Sequence, residues 1–306
     1  MFERILLPLD GSPLSESILP TVVVLARACH SSVTLLHASP QARATSDTSS
    51  RSRNAPTQGA AADLSRIQGD LAGRDVEADI WKVVGDPADA ILKVSEDGPY
   101  QLIAMSTHAR QGTARGVLGS VADRVLQRTS IPLLLIHPGV EGTRSNGSGA
   151  FHTLIVPLDG SLLGETVLPL VESLARRFSA TVGLVSVVPS EETMASMIDA
   201  EFYDPGLHRV LAAHAAKYLD GVRWGLHSRG LRVATHVLEG YAPDQIIEHT
   251  RLASDSLIVM STHGQSGVGR WVLGSVADRV IRGAERPVLI VPPPQRRQVF
   301  QQQPGS

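Results

Sequence analysis

Two stretches of this chain are one stretch written twice. Met105-Ser-Thr-His108 reappears as Met260-Ser-Thr-His263, and Val117–Val125 as Val272–Val280, both at an offset of 155 residues. Nearer the start, Pro8-Leu-Asp-Gly-Ser12 matches Pro157–Ser161 at an offset of 149. A repeat this long is a duplicated domain and not a solenoid, whose units run about 20–50 residues. The 306 residues therefore divide into two units, expected over residues 1–140 and 151–294, each long enough to bury its own core. The change of offset places a six-residue length difference somewhere between the matching blocks.

Within each unit the pattern is that of alternating strands and helices. Arg4–Leu9 is a short apolar run closed by Asp10-Gly-Ser-Pro13, where Ser12 suits a helix N-cap and Pro13 the first helical position. A helix follows to about Cys29, with Pro20 inside it. Pro169 holds the matching place within Ser161–Phe178, so a kink or break is expected at both. Then come strand Ser32–Ala38, helix Ala60–Gly73, strand Val76–Val84, helix Asp86–Ser95, strand Gln101–Met105, a helix from Ser120 and strand Pro132–His137.

The second unit repeats the order. It reads strand Leu154–Leu158, the broken helix, strand Thr181–Val188, a polar loop holding Met194 and Met197, and a long helix over about Leu207–Arg229. Strand Arg232–Leu238, helix Pro243–Arg251, strand Ser256–Met260, helix Val276–Ile281 and strand Pro287–Val291 complete it. Continuous apolar strands separated by helices predict two tandem, open, parallel five-stranded α/β sheets. Three segments fall outside this pattern: the polar Ser39–Gly59, expected to be a mobile loop, the linker Gly139–Ala150, and the Pro- and Gln-rich tail Pro292–Ser306, expected to be disordered.

Composition narrows the function. A formal net charge of −2 leaves no basic footprint for nucleic acid or an anionic membrane. No apolar run approaches the roughly 20 residues that cross a bilayer, and no signal pattern precedes Ile5–Leu9, so a cytoplasmic protein is expected. Cys29 is the single cysteine, which excludes an intrachain disulfide and a cysteine-based metal site. Lysine occurs only as Lys82, Lys93 and Lys217, so neither glycine-containing loop is a P-loop.

The chemistry concentrates between Ser256 and Ile281. A buried-type strand ends at Met260–Ser261, and Gly264, Gly267, Gly269 and Gly274 follow, with Ser275 placed as an N-cap for the helix behind them. Such a strand, loop and helix start presents amide N–H groups and a positive dipole end to phosphate. In an open parallel sheet, ligands bind beyond the carboxyl ends of the strands where strand order reverses. Asp10 and Asp159 end the first strands, and Ser106 and Ser261 the fourth. If those strands are neighbours, the acid and the glycine loop share one crevice. The carboxylate would then take ribose hydroxyls or an adenine amino group. The alternative for Asp159 is a plain Asx-turn in Asp-Gly-Ser.

Pro-x-Asp-Gly-Ser after a first strand, then Ser261-Thr-His-Gly264, nine residues, and Gly274-Ser275, resembles the universal stress protein family in its tandem form. The first glycine of that family's pattern is Ser261 here. The resemblance implies an adenine nucleotide alpha hydrolase-like, Rossmann-type sheet in the order 3-2-1-4-5 with ATP in its crevice. Carried over, it places Pro157, Asp159, Val187, Met260, Ser261, His263, Gly264, Gly274, Ser275 and Val276 around the nucleotide. His263 is read there as a spacer in preference to a base. Any Mg²⁺ would be held by the phosphates. The weaker equivalents in the first unit are Pro8, Asp10, Ala38, Met105, Ser106, Ala109, Gly119, Ser120 and Val121. There Ala109 replaces a glycine and Ala38 the bulkier Val187. Tandem members are expected to pair Pro132–His137 with Pro287–Val291 as an intrachain pseudo-dimer, and a homodimer of whole chains is left open.

The resemblance implies a nucleotide-dependent stress or signalling module. No catalytic residue and no protein metal ligand is assigned. A slow ATPase or nucleotidyl transferase using Asp159, His263 or Arg270 is the second reading, and a structural dimer module without nucleotide the third. Arg115 and Arg270 occupy matching loop positions and face either phosphate or solvent.

Overall fold

A computed structural model describes residues 1–39, 59–107, 118–137, 150–197, 205–253, 255–262 and 273–293. The first unit runs β1 (Arg4–Pro8), α1 (Pro13–Glu16), α2 (Leu19–Cys29), β2 (Ser32–Ser39), α3 (Gly59–Ala72), β3 (Ala78–Val84), α4 (Pro87–Asp97), β4 (Leu102–Ser106), α5 (Ser120–Arg128) and β5 (Leu133–Ile136). The second runs β6 (Thr153–Pro157), α6 (Leu162–Glu165), α7 (Leu168–Phe178), β7 (Thr181–Val188), α8 (Glu191–Met197), α9 (Pro205–His227), β8 (Val233–Glu239), α10 (Ala242–Arg251), β9 (Ser256–Ser261), α11 (Ser275–Gly283) and β10 (Val288–Val291).

The prolines break the first helix of each unit outright. Ser12 Oγ accepts the Ser15 amide at 3.1 Å and starts the single turn of α1. The chain then restarts at Leu19 with Pro20 in the first turn, where the missing N–H costs nothing. Ser161 and Pro169 repeat both devices. One expected loop is a helix. Met194 belongs to α8, whose start is fixed by Ser190 Oγ accepting the Thr193 amide at 3.2 Å, with Glu191 and Glu192 in the first turn. Met194 is buried and supplies the apolar anchor that a polar loop would lack.

Strand order is β3-β2-β1-β4-β5-β10-β9-β6-β7-β8. Each half thus shows the expected 3-2-1-4-5 order, and the two sheets join into one of ten strands. The seam is β5 against β10, antiparallel, with Leu135 opposite Val288, Leu134 opposite Leu289 and Leu133 opposite Ile290. All six side chains are at most 1% exposed. Strands buried on both faces explain the unbroken apolar runs. Alternate residues feed two separate cores, each continuous across both halves. Leu7, Leu134, Leu184 and Leu289 join α2, α3, α7 and α9 on one face, while Leu6, Leu135, Val185 and Ile290 join α4, α5, α10 and α11 on the other.

Contacts beside the seam reinforce it. Arg177 donates to the Ala28 carbonyl at 3.1 Å, and Arg282 meets Asp123 at 3.5 Å. His137 Nε2 donates to the Ile281 carbonyl, and its Nδ1 shares a hydrogen bond with the Thr107 hydroxyl at 2.9 Å.

The 149 offset holds through β2 and β7, and the 155 offset begins at β3 and β8. The six-residue difference therefore lies between the second and third strands. There the second unit carries α8 and a 23-residue α9 against the 14-residue α3.

At the β8 edge, the His236 and His249 rings lie against each other, centroids 4.6 Å apart and planes tilted by 53°. Burial, and secondly the charge on His236, hold the His249 pKa below its ordinary value of 6.5. The folded state thus prefers neutral His249 more than the unfolded chain does. Its contribution to stability is complete above about pH 6.5 and is lost as pH falls through that value toward the lowered folded pKa. Melting between pH 8 and 5 should show this loss, and His249→Gln should flatten it. Parallel curves for the two proteins would refute the assignment.

Candidate functional site

The strand order reverses between β1 and β4 in the first half and between β6 and β9 in the second. Beyond the carboxyl ends of β6 and β9 lies a cavity of about 240 Å³. Its wall on the β6 side is Pro157, Leu158 and Asp159, and on the β7 side Val185 and Val187. Met260, Ser261 and Thr262 come from the end of β9, and Gly274, Ser275, Val276 and Ala277 from the start of α11.

Eight residues singled out from the sequence therefore meet around one hollow: Pro157, Asp159, Val187, Met260, Ser261, Gly274, Ser275 and Val276. His263, Gly264 and Arg270 lie outside the described residues, as do Ala109 and Arg115 in the first half. Leu158, Gly164, Val185, Ala242, Ile246, Thr262 and Ala277 also line the cavity and were missed. Ala242 and Ile246 sit four apart at the start of α10, so they share one helix face, but only the packing of α10 beside β7 aims that face here.

Asp159 does two things at once. Its Oδ1 accepts from the Ser161 amide at 3.0 Å and from the Ser161 hydroxyl at 2.6 Å, which is the Asx-turn the Asp-Gly-Ser sequence allowed. The same turn holds the exposed carboxylate at the cavity wall. Asp159 is the only ionisable side chain among the described residues that line the hollow.

The expected N-cap at Ser275 is corrected. Gly274 is the cap residue, with φ −61° and ψ 142°, and no side chain caps the helix. The Gly274 amide donates to the Thr262 carbonyl at 2.8 Å, while its own carbonyl takes the Asp278 amide at 2.9 Å. That pair of bonds ties the end of β9 to the start of α11 and pushes Ser275 into the first turn. The residues of this helix end that border the cavity thus start a helix with no side-chain cap among the described residues.

The wall bearing Gly164 is braced from outside. The Tyr218 hydroxyl on α9 donates to Glu165 Oε1 at 3.0 Å, and burial together with that carboxylate raises the Tyr218 pKa so that the phenol stays protonated. A Cβ on Gly164 would stand 2.9 Å from Asp159 Oδ1 and 3.2 Å from Ser161 Oγ. The first half has Ser15 at this position.

The first-half equivalents occupy the same places in the fold. Pro8, Asp10 and Ala38 stand at the ends of β1 and β2, Met105 and Ser106 at the end of β4, and Gly119, Ser120 and Val121 at the start of α5. Asp10 makes the same turn, accepting the Ser12 amide at 2.9 Å and hydroxyl at 2.6 Å. Two features differ. Ser15 adds a side chain beside that turn, its hydroxyl donating to the Ser12 carbonyl at 2.8 Å, and Ala38 presents less apolar surface than Val187. Asp10 is correspondingly more covered than Asp159.

Among the described residues no helix is long and apolar enough to cross a membrane. The model of the universal stress protein family matches residues 1–137 and 150–292. Universal stress protein MJ0531 of Methanocaldococcus jannaschii is 30% identical over 151 residues, which is 49% of this chain and 88% of that protein. A universal stress protein from Archaeoglobus fulgidus superposes with a TM-score of 0.70 at 18% identity, covering 95% of this chain and 99% of that one. Another universal stress protein, solved in complex with cAMP, matches 45% of this chain at 19% identity and a TM-score of 0.35, too distant to speak for a ligand here. With the family's domain matched twice in tandem and the strands of both halves in one order, this chain belongs to the universal stress protein family.

Proposed function

We propose that the second domain binds an adenine nucleotide, with ATP as the first candidate, and that the chain acts as a nucleotide-dependent stress or signalling module and not as a fast enzyme. The observation that carries this reading is the juxtaposition of the Asp159 carboxylate and the uncapped start of α11 across one hollow at the strand-order reversal. Val185, Val187 and Ile246 offer an apolar bed for a base, Asp159 accepts from ribose or the adenine amino group, and the amides of Gly274–Val276 take phosphate. Mg²⁺ would accompany the phosphates.

The lining favours binding over turnover. Apart from Asp159, the described residues there are apolar, glycine or hydroxyl-bearing, and Asp159 Oδ1 is engaged in its turn. Phosphoryl transfer calls for a base and a charge-stabilising cation placed at the γ-phosphate. The first domain, with Ser15 and Ala38 in place of Gly164 and Val187, is proposed to bind more weakly.

Thermal melting of the whole chain with ATP, ADP, AMP and adenosine tests the proposal. A nucleotide at a hundred times its Kd should raise the melting temperature by about 5 °C. Mass spectrometry of ligand carried through purification separates the roles, since intact ATP supports sensing and bound ADP supports slow hydrolysis. No shift with any of the four, and no nucleotide carried through, would leave a doubled scaffold.

A further inference from the structure

Helices α10 and α11 flank the mouth of the second-domain cavity, and Tyr241 and Arg279 meet between their starts. The Arg279 guanidinium lies over the Tyr241 ring, 5.0 Å from its centroid. Among the described residues the Arg279 side chain makes no hydrogen bond or ion pair. Ser275 and Val276, which line the cavity, precede Arg279 by four and three positions. Helical side chains lean toward the helix N-terminus, so position 279 directs its side chain toward the turn bearing those two residues. Tyr241 directly precedes Ala242 on the facing wall, and neither helix start carries a side-chain cap.

The first domain holds the same arginine in the opposite condition. At the offset of 155, Arg279 corresponds to Arg124 and Tyr241 to Asp86. Asp86 caps α4 by accepting the Asp89 amide at 3.1 Å, and it takes Arg124 Nη1 on both oxygens at 2.8 and 2.9 Å. Asp89 accepts a third bond from Arg124 at 2.9 Å and one from Arg128 at 2.7 Å. In the second domain the matching four positions are Tyr241, Asp244, Arg279 and Gly283. Each set sums to zero formal charge, so the difference is one of pairing. Carboxylates consume the donors of Arg124, whereas an aromatic face steadies Arg279 and leaves its in-plane N–H groups unspent.

We infer that Arg279, held by Tyr241, is a phosphate-contacting residue of the second-domain site and sets its preference for phosphorylated adenine ligands over adenosine. The inference rests on the nucleotide reading of the cavity. It adds to that reading a protein cation for a ligand of several negative charges, at a wall whose one ionisable lining residue among the described residues is acidic. A guanidinium on an aromatic shelf suits this, because its planar fork bonds phosphate oxygens while its face stays packed.

Calorimetric titration of ATP, ADP and adenosine into the whole chain tests it, with wild type, R279Q, Y241D and Y241F compared after melting confirms each is folded. R279Q should weaken ATP on the order of fivefold while adenosine stays within about twofold, the scale of one exposed charge contact. Y241D rebuilds the first-domain pairing and should produce the same phosphate-dependent loss with Arg279 still present, and Y241F should behave as wild type. If wild type prefers ATP and neither R279Q nor Y241D changes the ratio of ATP to adenosine affinity, this inference fails and the nucleotide reading stands. If folded wild type binds none of the three, both fail together.

Discussion

Leu289→Asp is expected to destabilise the whole chain by more than about 4 kcal/mol, seen as a fall in melting temperature of roughly 10 °C or more. Leu289 faces Leu134 at the middle of the seam and is fully buried, between strands that are themselves covered on both faces. A carboxylate there has neither solvent nor a cation, and the chain relieves that cost most readily by opening the seam. Opening would expose the apolar edges of β5 and β10, so association of the variant should accompany the lower melting point. Leu289→Met, which keeps volume and polarity, should melt within a few degrees of wild type. Unchanged melting of the aspartate variant would mean that the halves do not depend on their shared strand pair.

Asp159→Ala is expected to lower ATP affinity on the order of 10- to 100-fold, the worth of one or two hydrogen bonds to a charged group. Asp10→Ala should leave ATP affinity near wild type if the second domain carries the site. Both substitutions remove the same Asx-turn, so they should cost similar stability, about 1 kcal/mol. The paired design thereby separates ligand contact from local folding. Equal affinity losses in both variants would assign nucleotide to both halves, and no loss in either would remove the carboxylate from the site.

Residue order alone specified much of this molecule. Unbroken apolar runs such as Leu102–Met105 require a strand covered on both faces, Ser12-Pro13 and Ser161 announce helix starts, and a repeat at offsets of 149 and 155 requires two copies. These are local demands, met within a few residues of where they are written. Eight of the ten residues that the family resemblance placed around a nucleotide line one hollow, and the Pro-x-Asp-Gly-Ser and Gly-Ser motifs that carry the resemblance sit at element ends.

Other features depended on neighbours far along the chain. The loop around Met194 became a helix because its methionine found a core to enter, and Gly164 became part of the site because α6 folds back on Asp159. Arg124 and Arg279 stand within identical Val-Ala-Asp-Arg-Val segments, so nothing adjacent distinguishes them. Only the packing of α4 on α5 and of α10 on α11 gives one a carboxylate and the other an aromatic ring. The sequence determined two α/β units and the ends of the strands where a ligand would sit. Tertiary structure decided that the two sheets are one and which arginine keeps its donors. The reason is that backbone conformation answers to near neighbours, whereas burial and charge pairing answer to whatever the fold brings across the gap.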